Sequence, residues 1–304
     1  MIQKIPFLAI AAGTVLLVAQ TGGRATFNTP EEARDALIQA AAQGMDAVKI
    51  FFGPGAADIV RTGDAVADKN VLERFNRLAA EKTALEADPM NPNRMTLLIG
   101  GVEWPFAVPL DRKNGRWSFD IAEGKAEIRR RTIGGNELDA IEICRGYVEA
   151  QEQYAAVPRD GNAVPQYARK IVSSEGRQDG LYWPGEDSPV AAAFAKAVAQ
   201  GYSATPAGAP RPYHGYLYKV LLAQGPGASG GAQDYVVKGL MIGGFALVAW
   251  PAEYGISGIK TFIVNQGGIV YEKDLGPNTG VAVKAMTRFN PDQSWVASPD
   301  GTEP

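Results

Sequence analysis

Hydrophobic positions fall into three patterns along this chain, and each predicts a different kind of element. The first is an unbroken apolar run, IPFLAIAAGTVLLVA from Ile5 to Ala19, with Lys4 before it and the small residues Thr21, Gly22 and Gly23 after it. Charge, apolar stretch and small-residue junction is the order of a secretory signal. The run has 15 residues, whereas a spanning helix needs about 20. The expectation is a signal peptide over residues 1–23, removed on export, with an uncleaved N-terminal anchor as the alternative. No cysteine stands at the junction, which excludes lipid attachment there.

The second pattern repeats every 3.6 residues. Thr29, Pro30 and Glu32 open a helix over 29–44, a capping box with proline at the first helical position. Ala33, Ala36, Leu37, Ala40 and Ala41 form its apolar face. A short apolar stretch, Val48 to Phe52, ends at a Gly-Pro-Gly break. Leu72, Phe75, Leu78 and Ala79 predict a helix over Val71 to Glu86. A third helix is expected from Asn136 to Ala156. Its apolar positions 140, 143, 147, 150 and 154 lie beside a second stripe at 138, 141, 144 and 148. So wide a face predicts a mostly covered helix, with Cys144 inside.

The third pattern alternates. Met95–Ile99, Val102–Leu110 and Arg116–Asp120 read as strands, with Asn114-Gly115 as a hairpin turn. Trp104, Phe106, Trp117 and Phe119 are expected on one sheet face. Helices followed by a curved meander ending in GRWSFD resemble the cone-shaped NTF2-like fold, over residues 25–125. The basic run GKAEIRRRT at 124–132 reads as a solvated connector. It sets the expected division: an NTF2-like domain at 24–128 and a second domain at 129–304. Beyond Pro158 the periodicity fades until a short helix, Val190 to Gln200. Strands are then expected at Tyr213–Leu222, Tyr235–Lys238, Phe245–Trp250, Lys260–Val264 and Ile269–Lys273, and a helical piece near Gly280–Thr287. The fold class is α+β.

Three segments carry a family resemblance: YKVLLAQGPGASGGAQDYVV, MIGGFALVAWPAEYGISGIKTFIVNQGGIVYEKDLGP and RRTIGGNELDAI. They resemble an exported bacterial family of unknown function, domain-of-unknown-function family 2950. The resemblance implies export and no particular reaction. NELDAIEICRGYVEAQEQYA is further similar to the helix of type IV pilin and pseudopilin heads. Gly215-Tyr216-Leu217-Tyr218, Phe245–Pro251 and Gly258–Val270 are similar to the strands that follow it. The resemblance implies a pilin-head-like helix on an antiparallel sheet, without the apolar stalk that polymerises pilins.

Composition narrows the chemistry. There are 30 basic and 33 acidic residues, a net charge of −3. A nucleic-acid partner calls for a basic excess that is missing here. With one cysteine and one histidine, an internal disulfide and His-rich metal sites are excluded. No cofactor and no membrane insertion after signal cleavage are expected. Gly225-x-Gly227-x-x-Gly230 follows a strand, but β-branched Val236-Val237 follows instead of a helix, so a hairpin loop is the better reading than a dinucleotide site. His214 lies at a strand start, as an edge or capping residue or as a general base.

The candidate contact surface combines an aromatic loop flanked by acids (Asp179, Tyr182, Trp183) with the turn that holds Trp250, Glu253 and Tyr254. Flat rings stack and carboxylates accept hydrogen bonds, which suits a sugar or protein partner. Trp104, Trp117 and Phe119 are the candidate pocket of the N-terminal cone, or ordinary core. The functional expectation is a non-catalytic module that binds an envelope protein or polymer, or assists assembly. The alternatives are a small-ligand carrier using the cone, and a hydrolase of envelope polymers using His214 and an acid from 179–187.

Overall fold

A computed structural model of the chain describes residues 25–53, 55, 65–159, 161–185, 187–190 and 212–299. The expected signal peptide and nearly all of the helix expected at 190–200 lie outside them. The chain divides after Ile128 into two compact units, each with its own hydrophobic core.

In the first unit, α1 (Pro30–Gln43) starts as its sequence dictates. The Thr29 hydroxyl accepts the Glu32 N–H at 3.1 Å, and the Glu32 carboxylate accepts the Asn28 N–H at 2.9 Å. The apolar stretch after Gly44 is helical, α2 (Met45–Phe52). The next helix, α3 (Ala65–Glu81), stops short of the expected Glu86. Thr83–Asp88 is a strand instead, β1, paired in register with β2 (Asn91–Ile99), Thr83 opposite Ile99 and Leu85 opposite Leu97. Cross-strand pairing onto buried Leu97 and Ile99 overrides the weak helical period there. The strand expected over Val102–Leu110 is interrupted by its prolines. Only Trp104–Pro105 (β3) pairs with β2, and the ladder resumes at β4 (Leu110–Lys113) and β5 (Arg116–Phe119). Asn114 and Gly115 both have positive φ, 53° and 77°, the turn that matches strand twist. Leu97, Val108, Leu110, Trp117 and Phe119 pack with Ala33, Leu37, Val48 and Phe52 to form the core.

The helix α4 runs unbroken from Ile121 to Ala155. It includes the basic run and Gly134-Gly135, where the sequence pattern predicts a connector. Asp120 starts the helix by accepting the N–H groups of Ala122 and Glu123, and the stretch that follows has no proline to stop it.

In the second unit, nine short strands follow among the described residues: β6 (Tyr216–Leu221), β7 (Ala223–Gln224), β8 (Gln233–Asp234), β9 (Val236–Val237), β10 (Leu240–Met241), β11 (Ala246–Pro251), β12 (Lys260–Asn265), β13 (Tyr271–Asp274) and, after α5 (Thr279–Ala285), β14 (Val296–Ala297). The order β14-β13-β12-β11-β6 makes one antiparallel sheet. The second half of α4 lies on it, burying Ala140, Cys144, Tyr147 and Tyr154. Leu138, expected in the covered stripe, is 67% exposed. Gln151, a polar residue, is buried on the covered face of the helix. It donates to Ala168 O and to the Tyr147 hydroxyl, and it accepts the Ala168 N–H. Lys219, which alternates with Tyr218 along β6, donates to Val283 O and Lys284 O at the end of α5, where the helix dipole favours a cation. The class is α+β.

Candidate functional site

The loop that carries Asp179 and Trp183 is spent on internal contacts. Asp179 accepts the Ser174 N–H at 2.7 Å, the Ser174 hydroxyl at 3.0 Å and the Lys170 ammonium at 2.6 Å. Burial pushes its carboxyl up, but these donors outweigh burial and hold it at about 2. Lys170 also lies 2.7 Å from the Ser174 hydroxyl. A serine–lysine pair of that length imitates a nucleophile and its base. Here the ammonium donates to both the serine and an ionised carboxylate, so it offers no lone pair to take the serine proton. Tyr182 is half-buried and Trp183 is 5% exposed. The Trp183 indole packs edge-on against Tyr154 and donates to Asp187, and the Arg159 guanidinium lies 4.9 Å above it. Arg159 also donates to Tyr154 O at the end of α4. The rings therefore close off a helix terminus.

The other half of the expected surface stands elsewhere. Tyr154, at one end of α4, donates to Gln178 O. Asn136 donates to Ser257 O at 2.8 Å, and the Glu137 carboxylate accepts the N–H groups of Ile259 and Lys260. Residues 136 and 154 are eighteen positions apart, about 27 Å of helix. The 179–187 loop thus docks at the C-terminal end of α4 and the 250–258 turn near its middle. They do not form one surface, because each docks on the helix through its own hydrogen bonds.

Three segments do converge at the Asn136 end. His214 Nδ1 lies 2.6 Å from Asp139 Oδ2, with both side chains about half exposed. The Ala252 N–H reaches Gly215 O at 3.0 Å. A Cβ on Gly215 would run into Asn136 and Ser257, and one on Gly258 into the Tyr216 hydroxyl, so glycine is what lets these segments touch. His214 takes the left-handed conformation, φ 46°, and meets Tyr213 edge-on. A non-glycine residue held there stores strain of about 1 kcal/mol. Around this frame Glu253 is exposed, Ile256 is 52% exposed and Trp250 is half-buried. Tyr254, also half-buried, donates to Asp274 at 3.1 Å, which raises its phenol above the usual range.

This corner and the long helix that frames it lie within a match to one family. The family model described as protein of unknown function (DUF2950) covers residues 24–297. The chain belongs to this family. Comparison with curated proteins gives no match, and neither does comparison with solved structures. Within this DUF2950 protein no described helix is long and apolar enough to cross a membrane. Among the described residues no group of three or more His, Cys, Asp or Glu side chains is placed to hold a metal.

Trp117 and Phe119 are 6% and 3% exposed in the first core. Trp104 does not join them: at 51% exposed it lies on β3, opposite Ile99, because the prolines break the strand that would have aligned it. Phe119 lines a cavity of about 10 Å³ with Ala25, Phe51, Phe52 and Ile121. That is room for one water, against about 300 Å³ for a small-ligand pocket. The 225–230 loop is a hairpin connection between β7 and β8. Its Gly225 N–H is taken by Phe289 O and its Gly227 N–H by Asn290, so neither is available to a phosphate. Cys144 is fully buried, and burial pushes its thiol up to about 12, the mark of an inert cysteine.

The sequence marks His214, Glu253 and Tyr254 as candidates and Asn136 as a helix start, but it does not single out Asp139 or Ser257. Asp139 falls beside the apolar stripe of the helix, and its only signal was a carboxylate at the helix flank. Its pairing with residue 214 depends on where the chain enters the sheet at β6.

Proposed function

We propose that this DUF2950 protein is an exported binding module of the bacterial envelope, without catalysis of its own, and that it meets its partner at the 136–139, 213–216 and 250–258 corner. The carrying observation is the corner itself: three segments, held together by side-chain hydrogen bonds from Asn136 and Glu137 and by the Ala252–Gly215 backbone hydrogen bond, leave Glu253 and Ile256 exposed beside half-buried Tyr254. A contact surface held rigid before binding loses little entropy on association. The Lys4–Gly23 pattern supports export. A helix on an antiparallel sheet supports a pilin-head-like second unit, and three helices followed by an antiparallel meander support an NTF2-like first unit. The test is a photo-reactive residue at position 256 of the tagged full-length protein, irradiated in intact cells, with position 175 as control. The expected result is a defined adduct from 256 alone, lost on Tyr254→Ala. Equal labelling from both positions would sink the reading. Trp183→Ala serves as a contrast: it should destabilise the fold without altering the adduct in the protein that remains folded.

A second reading rests on the 2.6 Å His214–Asp139 contact. A carboxylate on Nδ1 orients an imidazole as a general base toward water, which suits a hydrolase of envelope polymers. The acid in this reading is Asp139, not one from 179–187. Release of fragments from isolated cell-wall polymer, abolished by His214→Ala with stability intact, would favour it over the first. Equal release by wild type and His214→Ala would remove it.

A further inference from the structure

Helix α4 is anchored at two places, and between them it has no fully buried residue. At its start Asp120 caps the first turn. Gly124 lies so close to Val108 that a Cβ there would stand 2.7 Å from its Cγ2. From Asn136 onward the helix is tied to 257–260 by side-chain hydrogen bonds, and at Ala140 its buried stripe begins. Between these anchors none of residues 125–135 is buried. Most helical stability in a protein comes from burying one face of the helix, and this stretch is at most half-buried.

Intrinsic propensity does not compensate. Thr132 and Ile133 are β-branched, and Gly134 and Gly135 follow inside the helix. Nothing stands within 4 Å of where a Cβ would project from either glycine. Close packing therefore does not require them, and alanine fits both positions. Each glycine makes local opening about 5-fold easier than alanine would. The division between the two compact units, after Ile128, falls in the same stretch.

We propose that residues 129–135 form a hinge: α4 opens or bends at Gly134-Gly135 while both of its ends stay anchored, so each unit keeps its own part of the helix. Opening there exchanges backbone hydrogen bonds for water without uncovering a fully buried residue of the stretch, which keeps the cost of a local transition low.

Native-state hydrogen exchange on the full-length protein tests this. Amides at 131–138 should exchange at least about tenfold faster than those at 143–153. The double substitution Gly134→Ala/Gly135→Ala should slow them by about 25-fold and leave 143–153 unchanged. Trypsin should cut first after Arg129, Arg130 or Arg131, and the double substitution should slow that cut in parallel. The single substitution Gly135→Ala should give about 5-fold, which keeps the test intact if the double variant folds poorly. Uniform protection along α4 in the wild type would overturn the hinge, as would exchange at 131–138 that the substitutions leave unchanged.

Discussion

Asp179 shows how much one carboxylate holds in place. Its pKa of about 2 is depressed from the ordinary value near 3.9, so ionised Asp179 stabilises the fold above about pH 4. That contribution is lost as pH falls from about 4 through 2. Asp179→Asn should therefore cost about 1 kcal/mol at pH 7, after allowing for solvent screening. The difference from wild type should stay constant from pH 7 to 5 and fall by about half at pH 3, measured by urea unfolding at each pH. A difference that grew on acidification would remove the clamp. At this scale the sequence named the residue but not its work. Asp179 reads as a ligand-facing acid until Lys170 and Ser174 are seen on it, and they meet it only because the chain folds back between Ile171 and Tyr182. Trp183 is a similar case: an aromatic in a Gly/Pro-rich loop resembles a stacking platform, and here it seals a helix end.

The elements that read correctly are those whose start or turn is local chemistry. Thr29 and Glu32 cap α1, and Asn114-Gly115 turns β4 into β5, through contacts within a few residues. The elements that read incorrectly depend on distant partners. Thr83–Asp88 is a strand because Leu97 and Ile99 lie across from it, and the basic run is helical because Asp120 caps a helix that nothing then stops. Burial pushes the Asp120 carboxyl up, but the N–H groups of Glu123 and Ala122 and its neighbours Asp111 and Lys113 hold it lower overall. Asp120→Ala should cost about 1 kcal/mol in urea unfolding and raise exchange in the first turn of α4. Asp120→Asn, which keeps an acceptor, should recover most of that loss. Equal loss in both variants would mean that charge, and not capping, is what matters.

Two separate cores predict two separate responses. Leu97→Ala empties a fully buried site in the first core, and Phe262→Ala one in the second. Each should cost about 3 kcal/mol. Hydrogen exchange should quicken only in the unit that carries the change, and calorimetry should show only one of two transitions moving. Loss of protection in both units from either substitution would show a single cooperative fold. The sequence by itself determined the cap of α1, the Asn114-Gly115 turn, most of the buried face in the second half of α4 and most strands of the second sheet. All of these follow from side-chain period and backbone preference over a few residues. It also carried the segments by which the chain is placed in its family. Only the tertiary structure decided that α4 is one helix, that Trp104 leaves the first core, and that the two halves of the expected surface stand apart. The same holds for the meeting of His214 with Asp139. Each of these depends on which distant residues pack together, and a contact across 75 positions leaves no trace in local spacing.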